Sequence, residues 1–94
     1  MEIRNNEFSR KFETVINGNA LSVEYAIQDR KLFITKIIVP EGATLEEEVS
    51  DFLREIIQIA ADKRLKVVPV HPKAAAFFRK NPSLKEMLPP GIRL

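Results

Sequence analysis

The chain has 94 residues, 45% of them hydrophobic, and 15 Lys and Arg against 13 Asp and Glu give a formal net charge of +2. That length suits one domain over residues 1–94 and is too short for two independent cores. No apolar run approaches the roughly 20 residues of a membrane-spanning helix, and without cysteine there is no disulfide framework, thiolate nucleophile or cysteine-based zinc site.

Phe8, Phe12 and Ile16 punctuate a polar stretch and predict a strand over residues 8–16. Asn17-Gly18 follows, a strong hairpin signal because both residues tolerate positive φ. Residues 20–27 alternate, with Leu21, Val23, Tyr25 and Ile27 on one face and Ser22, Glu24 and Ala26 on the other, as in a half-buried strand. After a polar turn at Gln28 to Lys31, residues 32–39 are apolar on both faces except at Thr35 and Lys36. They predict a strand inside the sheet, ended by Pro40 and Gly42.

Leu45, Val49, Phe52, Leu53, Ile56, Ile57 and Ala60 then recur at i, i+4, i+7 and i+8, which predicts an amphipathic helix running to Arg64. Thr44 is its expected N-cap, with Glu47 completing a capping box and Glu46 to Glu48 favouring the positive end of the dipole. Residues 65–70 predict another strand, placed at an edge because Pro69 has no N–H. His71-Pro72 opens a short helix over residues 73–80, Asn81-Pro82 stops it, residues 83–88 add a turn, and Pro89-Pro90-Gly91 closes the domain. The order β-β-β-α-β-α makes the first three strands antiparallel and the last two parallel through the helical crossover. An α+β fold with a mixed four-stranded sheet is expected.

Certain residues carry a resemblance. The run Leu65-Lys66-Val67-Val68-Pro69-Val70-His71-Pro72, then Ala74 to Phe78, Arg79-Lys80-Asn81-Pro82 and Leu84 to Leu88, resembles the small single-domain branch of the GNAT superfamily of N-acetyltransferases. Members of that branch read there as a K-V-V-P-x-C-P strand, an Ala/aromatic-rich helix and an Arg-His-Pro stretch. A looser match continues upstream through Asn6, Phe12, Gly18, Ala20, Tyr25, Ile34-Thr35 and Val39-Pro40. The resemblance implies a minimal acyl-CoA N-acyltransferase fold, acetyl-CoA as cofactor, and a small-molecule or protein amine as substrate. In that fold two strands splay to admit the pantetheine arm, which places Ile38, Val39 and Val70 at the opening. The pyrophosphate sits at the start of the long helix, which implicates Thr44, Val49 and Ser50.

At that seat the sequence departs from the pattern. The superfamily's Gly-rich turn is replaced by Thr44-Leu45-Glu46-Glu47-Glu48-Val49, which sets carboxylates where an anion should dock. Two like charges ~4 Å apart repel by roughly 1 kcal/mol in water and by more near a protein surface. The helix N–H groups are also expected to be capped already by Thr44 and Glu47.

Acyl transfer needs a base for the amine, donors for the oxyanion and an acid for the leaving thiolate. His71 stands where the branch carries Cys and is the first catalytic candidate; its ordinary alternative is a helix cap. Tyr25 is a candidate acid whose ordinary alternative is a core aromatic, while Glu24 and Glu41 are further possible bases. There is no metal-ligand constellation.

Two functional expectations follow. One is an acetyl-CoA-dependent N-acetyltransferase that holds its cofactor through Lys63, Lys66, Lys73 or Arg79; the other is a non-catalytic GNAT-fold binding or regulatory module. Residues 1–39 carry +1, residues 40–62 carry −6 and residues 63–94 carry +7, so acidic and basic patches are available for self-association or a protein partner. The aromatic residues do not interleave with the bases of the last third, so nucleic-acid binding through that third is a third and weaker reading, and a membrane is not an expected partner. MEIRNNEF lacks a signal-peptide pattern, which makes the cytoplasm the expected location.

Overall fold

Strand alternation and helix periodicity meet on a single buried face. The computed structural model describes all of residues 1–94. Its elements are β1 (Arg4–Asn6), β2 (Lys11–Ile16), β3 (Asn19–Gln28), β4 (Lys31–Ile38), α1 (Glu46–Asp62), β5 (Lys66–Pro69), α2 (Pro72–Lys80) and a 3₁₀ helix (Pro82–Met87). The sheet runs in chain order, antiparallel from β1 to β4 and parallel between β4 and β5. Phe12, Leu21, Val23, Tyr25, Leu32, Ile34 and Val67 turn one sheet face toward the apolar stripes of α1 and α2, and together they form the core. No helix is long and apolar enough to cross a membrane.

The sheet has five strands, not the expected four. Arg4-Asn5-Asn6 has no apolar alternation, so nothing local marks it as a strand. It is held by tertiary pairing with β2, by the Arg4–Glu13 ion pair at 2.7 Å, and by the Tyr25 hydroxyl donating to Asn5 Oδ1 at 2.6 Å. The expected strand over residues 8–16 is accordingly shorter. It begins at Lys11, and Phe8 falls in the β1–β2 turn, where it is 100% exposed.

The start of α1 also differs from the expectation. A turn closes from the Ala43 amide to the Pro40 carbonyl at 3.1 Å, with Gly42 at φ 76°, and the helix begins two residues beyond Thr44. Leu45 is the N-cap residue, and no side chain caps the helix. The first helical bond joins the Val49 amide to the Leu45 carbonyl at 2.8 Å, so neither Thr44 nor Glu47 closes a capping box.

At the other end, the Leu65 amide bonds back to Ala60 at 2.8 Å and the Arg64 amide to Ala61 at 3.0 Å. This is a Schellman closure, whose left-handed position favours glycine; here Arg64 fills it at φ 59°. A side chain in that region costs about 1–2 kcal/mol. Arg64→Gly is therefore expected to raise the melting temperature by several degrees, at roughly 4–8 °C per kcal/mol for a domain of this size. A thermal melt followed by circular dichroism checks this, and a lower melting temperature would contradict it.

Beside α1 the sheet opens. Glu24 pairs with Lys36 and Tyr25 with Ile34, so Thr35 is an extra residue that kinks β4. β5 pairs with β4 only as far as Ile34 and Pro69, and the Ile34 carbonyl then accepts both the Val70 and His71 amides at 3.1 and 3.0 Å. Pro69 fits this edge strand because Lys66 and Val70 donate to β4, so the nitrogen of Pro69 faces the open edge where no N–H is needed. Beyond this point β4 runs on to Ile38 without a neighbour on that side.

Candidate functional site

A groove of about 790 Å³ lies between the end of β4, the start of α1 and the exposed side of α2. Its apolar lining comes from Val39, Leu45, Val49, Leu53, Ala76 and Phe77. Lys73, Ala76, Phe77 and Lys80 are spaced i, i+3, i+4 and i+7, so α2 presents two cations and two apolar side chains along one stripe. The first turn of α1 contributes Glu46, Glu47, Ser50 and Asp51. The amides of Glu46, Glu47 and Glu48 have no acceptor within the protein, because the helical ladder starts at Val49. Three free N–H donors and the positive dipole end therefore stand at the start of α1, two of the donors on residues that line the groove. Among the side chains that line the groove, Glu46, Glu47 and Asp51 oppose Lys73 and Lys80, so its charge is slightly negative.

Asn81 and Arg54 fix the width of this groove. The Asn81 amide side chain donates to the Phe77 carbonyl at 2.8 Å and closes the end of α2. Its Oδ1 accepts from Arg54 of α1 at 3.0 Å, and the Arg54 guanidinium lies 5.3 Å from the Phe77 ring centroid.

Val39, Thr44, Val49 and Ser50 line the groove. Ile38 instead borders a separate depression beside Ile3, Val15 and Ser22, and Val70 is exposed just past the end of β5 without lining the groove. Among the cations considered for an anionic ligand, Lys73 is on the groove and Lys63 and Lys66 are at the far end of the sheet. Lys80 and Asp51 were not singled out by sequence, although helical spacing from Lys73 and from Glu47 marks both.

The two catalytic candidates are not brought together. His71 is the N-cap of α2, and its Nδ1 accepts the Lys73 amide at 3.1 Å. The neutral ring then carries its proton on Nε2, which makes it a donor there and not a base. Tyr25 is buried, stacks on Phe12 with ring centroids 4.6 Å apart, and sends its hydroxyl to Asn5 on β1, the sheet edge opposite β5. Glu24 lies on the uncovered sheet face in a row with Lys11 and Lys36, and Glu41 is exposed in the turn before α1. No group of three His, Asp or Glu side chains is placed to hold a metal ion.

No protein-family model matches this chain, and no curated protein matches it significantly. Its functional reading therefore rests on the groove and on the residues around it.

Burial, and then the charge of Lys73, hold the His71 pKa below its ordinary 6.5. Protonation would also break the cap, because Nδ1 could no longer accept the Lys73 amide. The unfolded chain thus takes up the proton more readily than the folded one. The His71 contribution to stability is complete above about pH 6.5 and is lost as pH falls through the lowered value. His71→Asn keeps an N-cap acceptor and removes the titration. Urea denaturation across this range should show a flatter pH dependence in the variant and little change at higher pH.

Proposed function

We propose that this chain is a small GNAT-like domain of the acetyl-CoA-dependent N-acetyltransferase type, with the α1–α2 groove as its cofactor seat. One observation carries the reading. β4 and β5 part at Ile34 and Pro69, and the helix that connects them starts with free N–H groups on Glu46 and Glu47, which line the groove.

The residues fit acetyl-CoA in their backbone and apolar parts. The amides of Glu46 and Glu47 would hold the diphosphate, Lys73 and Lys80 would meet further phosphate charge, and Val39 and Val49 would flank the apolar arm. The bound cofactor would supply an activated acyl thioester. The His71 Nε2–H is a donor at the neighbouring end of β5, two residues before Lys73. Glu46, Glu47 and Asp51 oppose the cofactor's charge and set its affinity low.

A second reading is a binding or regulatory module without catalysis. It is favoured by the commitment of the His71 Nδ1 lone pair to the helix cap and of the Tyr25 hydroxyl to Asn5, which leaves neither of the two catalytic candidates free for proton transfer in the groove. A titration with acetyl-CoA to about 1 mM, followed by amide NMR, tests the first reading. Shifts over residues 43–50 and 73–80 are expected, and their absence would end the cofactor reading. Binding without thiol release in the presence of amines would decide for the module.

A further inference from the structure

The cations of this chain are scattered in sequence and gathered by topology. β3 ends and β4 and β5 begin at one end of the sheet, away from the groove, and β2 starts four residues short of that end, with Lys11 level with Glu24 and with Lys31 and Lys66 level with Gln28. The β1–β2 turn, the β3–β4 turn and the end of α1 emerge toward that end with Arg10, Arg30 and Arg64, flanked by Lys11, Lys31, Lys63 and Lys66. Lys66 pairs with Lys31 across the parallel ladder, and its amide donates to the Arg30 carbonyl at 3.1 Å. Arg10 is tied to the same sheet through its carbonyl, which accepts the Tyr25 amide at 3.0 Å. Lys11 and Lys66 are three strands apart, about 15 Å across the sheet, and four residues apart along it, about 13 Å, so the cations spread over a face and not along one row. Glu7, Asp29, Asp62 and Glu86 lie near this end, and the Lys66 ammonium donates to the Glu86 carbonyl at 2.6 Å, yet neither ion pair of the structure involves any of the seven cations.

The three arginines carry the second observation. Arg10, Arg30 and Arg64 have φ of 55°, 60° and 59°, in the left-handed region where glycine is unstrained. They belong to three separate turns. Arg30 is the second central residue of a hairpin turn that prefers Asp-Gly, and Arg64 fills the glycine position of a helix end. The same side-chain type is kept against backbone strain at three turns of one pole, which points to a task for the guanidinium. Phe8 supplies a third observation: it lies two residues before Arg10 in the same turn and is 100% exposed.

We propose that this end of the sheet binds single-stranded nucleic acid, with the arginines and lysines taking backbone phosphates and Phe8 stacking on a base. The guanidinium fork matches phosphate geometry, and an exposed ring beside it forms a stacking platform that any base can use. An anionic membrane would meet the same charges but needs more apolar area than Phe8 and the half-exposed Ile27 present. The surface is separate from the groove and does not depend on its assignment.

Fluorescence anisotropy of a labelled mixed-sequence single-stranded oligonucleotide with the intact chain tests this. Binding is expected at low salt and weakens about ten-fold or more between about 50 and 200 mM KCl. The triple variant Arg10→Gly/Arg30→Gly/Arg64→Gly should bind at least about ten-fold more weakly, yet melt at the same or a higher temperature. That pairing of opposite signs separates a lost contact from a lost fold. Phe8→Ser, at a side chain that touches nothing, should weaken binding about five-fold or more without moving the melt. The proposal fails if the parent does not bind at low salt, if binding ignores salt, or if either variant binds like the parent. It fails equally if only phosphatidylserine vesicles bind.

Discussion

Phe52→Ala is expected to destabilise this domain by about 3–5 kcal/mol. Phe52 is 1% exposed and sits mid-helix among Leu53, Ile56 and the buried sheet residues. Truncation removes the ring's burial and leaves a cavity that a rigid sheet on one side and a continuous helix on the other cannot close. A domain of this length has a total stability of roughly 5–14 kcal/mol, so the loss is a large fraction of the whole. Urea unfolding should show a midpoint far below that of the parent with an unchanged slope. A loss under about 1 kcal/mol would mean that the core around α1 is not packed as described. Ser50, half-buried two residues earlier, is a useful control, since Ser50→Ala removes no core volume.

The second large effect concerns ligand affinity. Neutralising both Glu46 and Glu47 as glutamines should strengthen acetyl-CoA binding by more than an order of magnitude, at about 1 kcal/mol for each repulsion removed. Both carboxylates line the groove. Glu48 does not line it, so Glu48→Gln should leave the affinity nearly unchanged and separates a local effect from general acidity. The double variant also gives up favourable dipole interactions, at about 0.3–1 kcal/mol for each carboxylate. Its affinity and its stability should therefore move in opposite directions. Calorimetric titration of the parent and the two variants reads this directly, and equal affinities would refute the charge argument.

The way the start of α1 is built explains why this test is sharper than the sequence suggested. A capping box at Thr44 and Glu47 would have occupied the first N–H groups. Instead the turn closed by the Ala43 amide delays the helix, and Leu45 caps nothing with its side chain. The donors are free and the carboxylates remain, so charge alone opposes an anion there. Local sequence could not decide between those arrangements. Thr44 is a good cap only if the chain enters the helix at that residue, and the entry is set by how far β4 runs before it turns.

Much of the rest was legible in the residues themselves. The stripe from Val49 to Ala60, the alternation of Leu21, Val23 and Tyr25, and the two hairpins are local patterns, and each forms where its period indicates. The order of elements, with the missing N–H of Pro69, was enough to place β5 parallel to β4 at an edge. These features depend on which face of a strand or helix is apolar, and period 2 or 3.6 records that directly.

Tertiary structure decided what no period encodes. β1 exists because Glu13 and Tyr25 offer partners to a polar segment, and that pairing left Phe8 in a turn outside the core. Tyr25 thereby became a tie to β1 and His71 became the cap of α2. The division of charge into an acidic middle and a basic last third also gave way to a different grouping. Arg30 and Arg64, far apart along the chain, meet at one end of the sheet because β3 ends and β4 and β5 begin there, and the turn that carries Arg10 points toward the same end from four residues short of it. Sequence fixes the faces of each element; which ends meet is set by the order in which the strands pair.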